Sequence, residues 1–206
     1  MLELHHDAWI EVATAHGFDP PDADDVQRAM QMRPERAING IFHWTDDFLE
    51  ARKLSFEHYE AFQERFQQHE FVATPGCKEW LETLNQYEVP CCLCCTFDEP
   101  SVRVALQRAG IRHLYQELVT AEDGCDTREQ ALLLACLKVQ RPPSRCVVFE
   151  DEPQGVVDAH EISSKAIALV GKHPGYALMH ADKRVLGFDD LQIQVLKEVF
   201  TDFSVT

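Results

Sequence analysis

Positive charge is scarce in this chain. Its 206 residues carry 19 Lys and Arg against 35 Asp and Glu, a formal net charge of −16 at pH 7. Nucleic acid and anionic membrane surfaces would repel such a protein, so neither is expected as a partner. Long apolar runs are lacking too: no stretch approaches the ~18–20 residues that span a bilayer. The segment Met1 to Ile10 is polar with a helical pattern, which suits neither a signal peptide nor a transit peptide. Internal repeats and low-complexity segments are absent. Also missing are two well-spaced cysteine pairs of the kind that holds zinc. Of the 8 Cys, four crowd into Cys91-Cys92-Leu93-Cys94-Cys95. Neighbours on a strand point to opposite faces, so this cluster converges poorly on one metal. It reads as a fully buried strand that uses Cys as a small hydrophobe. With no disulfide framework in view, a reducing compartment is expected.

What is present is an ordinary soluble composition, 45% hydrophobic and 26% charged, on a chain long enough for one core with a small satellite. From Leu4 to about Gln68 only helices are predicted. Ala8, Trp9, Val12 and Ala13 mark one amphipathic face, closed by Gly17. Asp19-Pro-Pro-Asp22 turns into a second helix, and Arg33-Pro34-Glu35 opens a third with Ala37, Ile38, Ile41 and Phe42 inward. Asp46 to Gln68 reads as one long helix with Phe48, Leu49, Leu54, Tyr59, Phe62 and Phe66 inward.

The pattern changes at Thr74-Pro75-Gly76. Strands predicted at Pro90–Thr96, Glu117–Thr120, Cys146–Phe149 and Lys165–Val170 alternate with helices, and an irregular segment then leads to a last helix, Leu191–Phe200. That alternation predicts an α/β fold: a Rossmann-like parallel sheet with helices on both faces. The expected domains are an all-helical 1–69 and an α/β core 70–206.

The sharpest chemical signal is Arg145-Cys-Val-Val-Phe-Glu-Asp-Glu-Pro-Gln-Gly155. An apolar strand ends in adjacent carboxylates, Glu150 and Asp151, before a helix start. Adjacent acids at a strand tip repel each other unless a cation such as Mg²⁺ sits between them. The plain alternative is a strand running out into a solvated acidic turn.

Four separated stretches together resemble one family. Thr74-Pro-Gly-Cys-Lys-Glu-Trp-Leu81 resembles its P-G-x-x-x-x-L helix start, and Cys94-Cys95-Thr96 its apolar strand ending in Ser or Thr. Val104-Ala-Leu-Gln-Arg-Ala-Gly-Ile111 and Val147-Val-Phe-Glu-Asp-Glu-Pro-Gln-Gly155 complete the order. The family is the haloacid dehalogenase (HAD) superfamily, in the branch of phosphoglycomutase-like and sugar-phosphate phosphatases with a helical cap. His5-His6-Asp7-Ala8-Trp9 is similar to that branch's first cap helix. Gly171-Lys-His-Pro-Gly-Tyr-Ala-Leu-Met-His-Ala-Asp182 with Phe188-Asp-Asp-Leu191 resembles a plant and algal plastid group. Plastid and cytoplasm are therefore the compartments expected.

The resemblance implies phosphoryl transfer through an aspartyl-phosphate, assisted by Mg²⁺. By it, residues 1–69 are the cap. Thr96 holds a phosphoryl oxygen, though a strand-end Thr also serves as a plain turn cap, and Glu150 and Asp151 hold the metal. These positions are expected to converge with Asp126 at the C-terminal ends of the strands. A small phosphorylated metabolite is the implied substrate.

Three departures qualify the resemblance. Aligned through His5 to Trp9, the Asp-x-Asp-Gly strand that carries the nucleophile falls upstream of Met1, so the core is expected to lack its first strand. Asp22-Ala-Asp24 and Asp46-Asp47 lie in turns and helix starts and are no substitute. Counting back from Cys146, the third-motif Lys falls on Asp126, a charge reversal; Arg128 could swing in as a substitute, the plainer reading being a surface residue of a helix start. Glu152 adds a further negative charge. The chain is therefore expected to bind Mg²⁺ weakly or not at all and to be catalytically impaired, a pseudoenzyme with a role in binding or assembly and room for a protein partner. The alternatives are an active phosphatase whose nucleophile strand is missing from this sequence, and a structural subunit of a larger assembly.

Overall fold

The computed structural model describes residues 2–30 and 32–201. The chain forms two compact units, residues 1–70 and 71–206.

Among the described residues, the first unit is helical: α1 (Leu2–His16), α2 (Ala23–Ala29), α3 (Pro34–Gly40) and α4 (Phe48–Gln68). Local chemistry sets the starts. The Asp22 carboxylate accepts from Asp25 N at 2.8 Å and Asp47 from Glu50 N at 2.9 Å, each satisfying a free amide of the first turn. Pro34 opens α3, where its missing N–H costs nothing. Trp9, Val12, Val26, Ile38, Ala51 and Leu54 form the core of this unit. The inward face of α4 differs from the expectation. Leu54, Phe62 and Phe66 are buried with Ala51, His58 and Ala61, whereas Phe48, Leu49 and Tyr59 are more than half exposed. At 100° per residue, Leu49 and Tyr59 fall on the side opposite Leu54. His58 takes the inward place instead and stacks on Trp9, ring centroids 3.8 Å apart.

The second unit contains α5 (Cys77–Gln86), β1 (Cys92–Cys94), α6 (Glu99–Arg108), β2 (Glu117–Val119), α7 (Arg128–Lys138), β3 (Val147–Glu150), α8 (Pro153–Glu161), β4 (Lys165–Leu169), β5 (Lys183–Val185) and α9 (Ile193–Thr201). Every ladder is parallel: β1 with β2 (Cys92 opposite Glu117), β3 with β4 (Val147 opposite Lys165), and β4 with β5 (Ile167 opposite Lys183). The order is β1-β2 in one sheet and β3-β4-β5 in the other. β5 lies inside the segment expected to be irregular. Two of its three residues are exposed and charged, so no apolar alternation announces it, and pairing with β4 defines it.

The two sheets share their packing layers. Cys91, Val147 and Phe149 pack with Trp80 and Leu84 of α5 on one side. Cys94 and Val148 pack with Leu132 of α7 and Val156 of α8 on the other. Among the described residues, β1 and β3 each have one paired edge. This corrects the expectation of a fully buried cysteine strand: Cys91 to Cys95 are all half-buried, and so is all of β3, while Ala166 to Ala168 of β4, paired on both edges, are fully buried. All eight cysteines are free.

Candidate active site

Glu150 is the last residue of β3, opposite Ala168 of β4, and Asp151 follows it directly. Glu152 is the N-cap residue of α8 and Pro153 its first residue. The proline pre-sets the helix start, so the chain turns from strand to helix within two residues and leaves the acids at the sheet's C-terminal end. Gly155 in the first turn of α8 makes the room. A Cβ there would lie 2.2 Å from Glu150 Cδ and 2.6 Å from Arg128 Nη1.

Arg128 is the first residue of α7, and its guanidinium addresses three carboxylates. Nη1 lies 3.6 Å from Glu150 Oε1, Nη2 3.3 Å from Glu152 Oε2, and Nε 3.5 Å from Asp158 Oδ2. Lys172 Nζ adds a 2.5 Å ion pair to Glu152 Oε1. Asp158 is buried and also accepts from Gln154 Nε2 at 2.7 Å. Burial raises the Glu150 pKa, with Arg128 pulling it back and Asp151 and Glu152 pushing it further up. The hydrogen bond from Lys172 holds Glu152 below its usual value, and the same bond raises Lys172.

Thr96 is exposed in the bend after β1, and Asp126 is exposed in the bend before α7, where its backbone N–H donates to Gln130 Oε1 at 2.9 Å. Glu150 and Asp151 act on each other electrostatically. Among the described residues, no hydrogen bond or ion pair links Thr96 or Asp126 to either acid. Arg128 is exposed at the start of α7, as a surface helix-start residue is expected to be, yet its guanidinium also reaches the acidic tip. Lys172 and Asp158 were not singled out from the sequence. Lys172 sits in a loop after β4 with no motif around it. Asp158 falls five residues after the acidic Pro-Gln turn, at helical spacing from Gln154, a pattern that reads as an ordinary helix face.

The donors at this tip do not fit a divalent ion as they stand. Mg²⁺ asks for six oxygens in near-octahedral order, but Glu150 faces a guanidinium and folds back over Gly155. Among the described residues, the group of three acidic donors whose ligand atoms all lie within 4.8 Å of one another is Glu129, Asp158 and Glu161, which includes neither Glu150 nor Asp151.

A family model described as haloacid dehalogenase-like hydrolase matches residues 3–169. The chain is 28% identical over 200 residues to the chloroplastic 5-amino-6-(5-phospho-D-ribitylamino)uracil phosphatase of Arabidopsis thaliana, covering 96% of this chain and 53% of that protein. It thus spans about half the length of that plant relative. It is 25% identical over 182 residues to the validoxylamine A 7'-phosphate phosphatase of Streptomyces hygroscopicus subsp. limoneus, covering 86% of this chain and 83% of that protein. The fold is similar to a β-phosphoglucomutase from Clostridium difficile, with a TM-score of 0.77 at 14% identity over 98% of this chain and 92% of that one.

Proposed function

This chain belongs to the haloacid dehalogenase-like hydrolase family, and on that premise we propose that it carries the substrate-orienting and charge-balancing part of a phosphatase site for a small phosphorylated metabolite, without hydrolysing phosphate esters on its own. The nucleophile in this reading comes from a further strand, outside the described residues, that pairs with both β1 and β3. Residues 1–69 act as the cap, Thr96 orients a phosphoryl oxygen, and Glu150 and Asp151 form the acidic end of the site.

One observation carries the reading. β1 and β3 lie between the same helical layers, yet each has an unpaired edge among the described residues, and their apolar residues are only partly buried beside the fully buried Ala166 to Ala168 of β4. Unpaired edges and half-covered apolar strands in a core are costly, so a strand that pairs with both is strongly favoured. The two curated relatives are both named as phosphatases of phosphorylated small molecules, which supports the substrate class. The chloroplastic plant relative supports a plastid address. No described helix is long and apolar enough to cross a membrane.

Phosphatases of this family generally use Mg²⁺. Here the acids meet Arg128 and Lys172, and weak or absent Mg²⁺ binding is part of the reading. Asp126 places a carboxylate where the resemblance puts a lysine, which favours impairment even with the strand in place. The test is phosphate release from sugar phosphates and p-nitrophenyl phosphate, with Mg²⁺ present. The chain alone is expected to release none above background. A form with an apolar strand ending in Asp-x-Asp-Gly fused ahead of it is expected to melt at a clearly higher temperature. Robust turnover by the unaltered chain that Asp151→Asn abolishes would overturn the reading.

A further inference from the structure

We infer that Arg128 is the resident counter-cation of the β3 tip: its guanidinium fills the ground between Glu150, Glu152 and Asp158, and Mg²⁺ reaches these carboxylates only by displacing it. The inference deepens the reading of the tip as the acidic end of the site and rests on that reading.

Geometry comes first. Three different nitrogens of one planar group face three different carboxylates, at 3.6, 3.3 and 3.5 Å. These acids come from the end of β3, the N-cap of α8 and the body of α8. A guanidinium suits such a place because its donors point outward in a fixed fork. The contacts are longer than the ~2.7–2.9 Å of a committed charge-assisted hydrogen bond, whereas Lys172 holds Glu152 at 2.5 Å. Arg128 is therefore shared among three acids, with one hydrogen bond to Glu152 and longer ion pairs to Glu150 and Asp158.

Burial supplies the need for it. The Asp158 side chain is 5% exposed and that of Glu150 16%. Carboxylates so poorly hydrated require a positive partner. Lys172 cannot serve both, because its ion pair is to Glu152. Gly155 leaves room for the pair: a Cβ there would come within 2.6 Å of Arg128 Nη1 and 2.4 Å of Glu150 Oε2, so a side chain at this position would push these flexible ends aside. Counting Asp151, four acids gather at the tip with two cations, and Glu129 and Glu161 lie beside Asp158. The tip keeps a net negative charge that attracts a dication, but its centre is taken.

The test is calorimetric titration of Mg²⁺ alone into the full chain. Arg128→Gln is expected to bind Mg²⁺ about tenfold more tightly or better, because it removes a positive charge from the ion's own ground. Lys172→Gln lowers the local charge equally but leaves the centre filled, and is expected to gain about threefold at most, as for a partly exposed pair. Arg128→Lys keeps the charge without the fork and is expected to fall between the two, which leaves a readout if Arg128→Gln does not fold. An Arg128 variant that binds no more tightly than the unaltered chain overturns the inference. So does a Lys172→Gln gain equal to that of Arg128→Gln, which would mean bulk charge alone. Phosphate release is read in no arm, so failure of the hydrolysis reading would leave this result interpretable.

Discussion

Glu150 occupies the space that a side chain on Gly155 would need, with its Cδ 2.2 Å and its Oε2 2.4 Å from where a Cβ would stand. Gly155 lies inside α8, where alanine is ordinarily the better residue by about 0.5–1 kcal/mol. Gly155→Ala sets that gain against displacement of two flexible side-chain ends, Glu150 and Arg128. Net stability is expected to move by about 1 kcal/mol or less, while the carboxyl of Glu150 is driven out towards water. Its pKa, raised by burial, should fall back towards the ordinary glutamate range. Denaturant melts and an NMR titration of the Glu150 carboxyl measure the two effects separately. A Glu150 that still titrates high in the folded variant would show that the close approach does not hold it.

Acid should weaken the first unit through a histidine pair. His5 and His58 approach at 3.3 Å, and burial lowers their pKa values to about 4 and about 3. Both are thus neutral in the folded state below the pH at which they charge in the unfolded chain. The unfolded state then binds more protons, so stability is full above pH ~6.5 and is lost as pH falls below it, until the folded state also protonates. At pH 5 the loss is at most about 2 kcal/mol per histidine. His58→Phe keeps an aromatic ring against Trp9 and removes one titrating group. Urea midpoints at pH 7.5 and pH 5 should converge for this variant relative to the unaltered chain. An unchanged pH slope would assign acid sensitivity to the carboxylates instead.

Asp182 fixes the start of β4 from the residue just before β5. It accepts from Ala166 N at 2.8 Å, Lys165 Nζ at 2.7 Å and His160 Nε2 at 2.8 Å. Burial alone would raise its pKa, but these donors outweigh that and hold it low. Asp182→Ala leaves a half-buried ammonium and a strand amide without this partner, an expected loss of about 2–3 kcal/mol. Asp182→Asn should recover part of it, because the amide oxygen still accepts. Chemical denaturation of the three forms reads the difference. Equal stability of all three would show that these bonds do not hold the start of β4.

The parallel ladders and the acidic tip were legible because each has a local cause. Apolar β-rich runs alternate with capped helices, and Glu150-Asp151-Glu152-Pro153 must break a strand and open a helix. What escaped the sequence depends on partners elsewhere in the chain. Nothing local tells Leu49 and Tyr59 that the α1 face of α4 runs through His58. Nothing in Lys183-Arg184-Val185 declares a strand until Ala168 and Leu169 pair with it. The cysteine run reads as fully buried because composition cannot report that, among the described residues, one edge of β1 is unpaired. Arg128 is an exposed helix start, and its contacts with the acidic tip escape local reading because their partners are scattered from 150 to 158.

The proposed place of Asp126, where the resemblance puts a lysine, gives the last prediction. Asp126 is exposed before α7, its backbone fixed by the bond to Gln130. In the strand-fused form, this carboxylate should repel an incoming phosphate ester. Unscreened, two such charges at ~4–5 Å interact by several kcal/mol at an effective dielectric of about 20. Exposure to solvent cuts that to roughly 1–2 kcal/mol, or about tenfold in rate. Restoring the strand alone should therefore recover little. Asp126→Asn in that form removes the repulsion and should raise kcat/KM by up to about tenfold. Asp126→Lys replaces repulsion with attraction beside the transferred group and should raise it further. The assay is phosphate release at equal protein concentration, with Mg²⁺, at low and high ionic strength. The advantage of Lys over Asp should shrink as salt screens it. If both variants stay at the level of the fused parent, Asp126 does not face the substrate, and the lost activity has another cause.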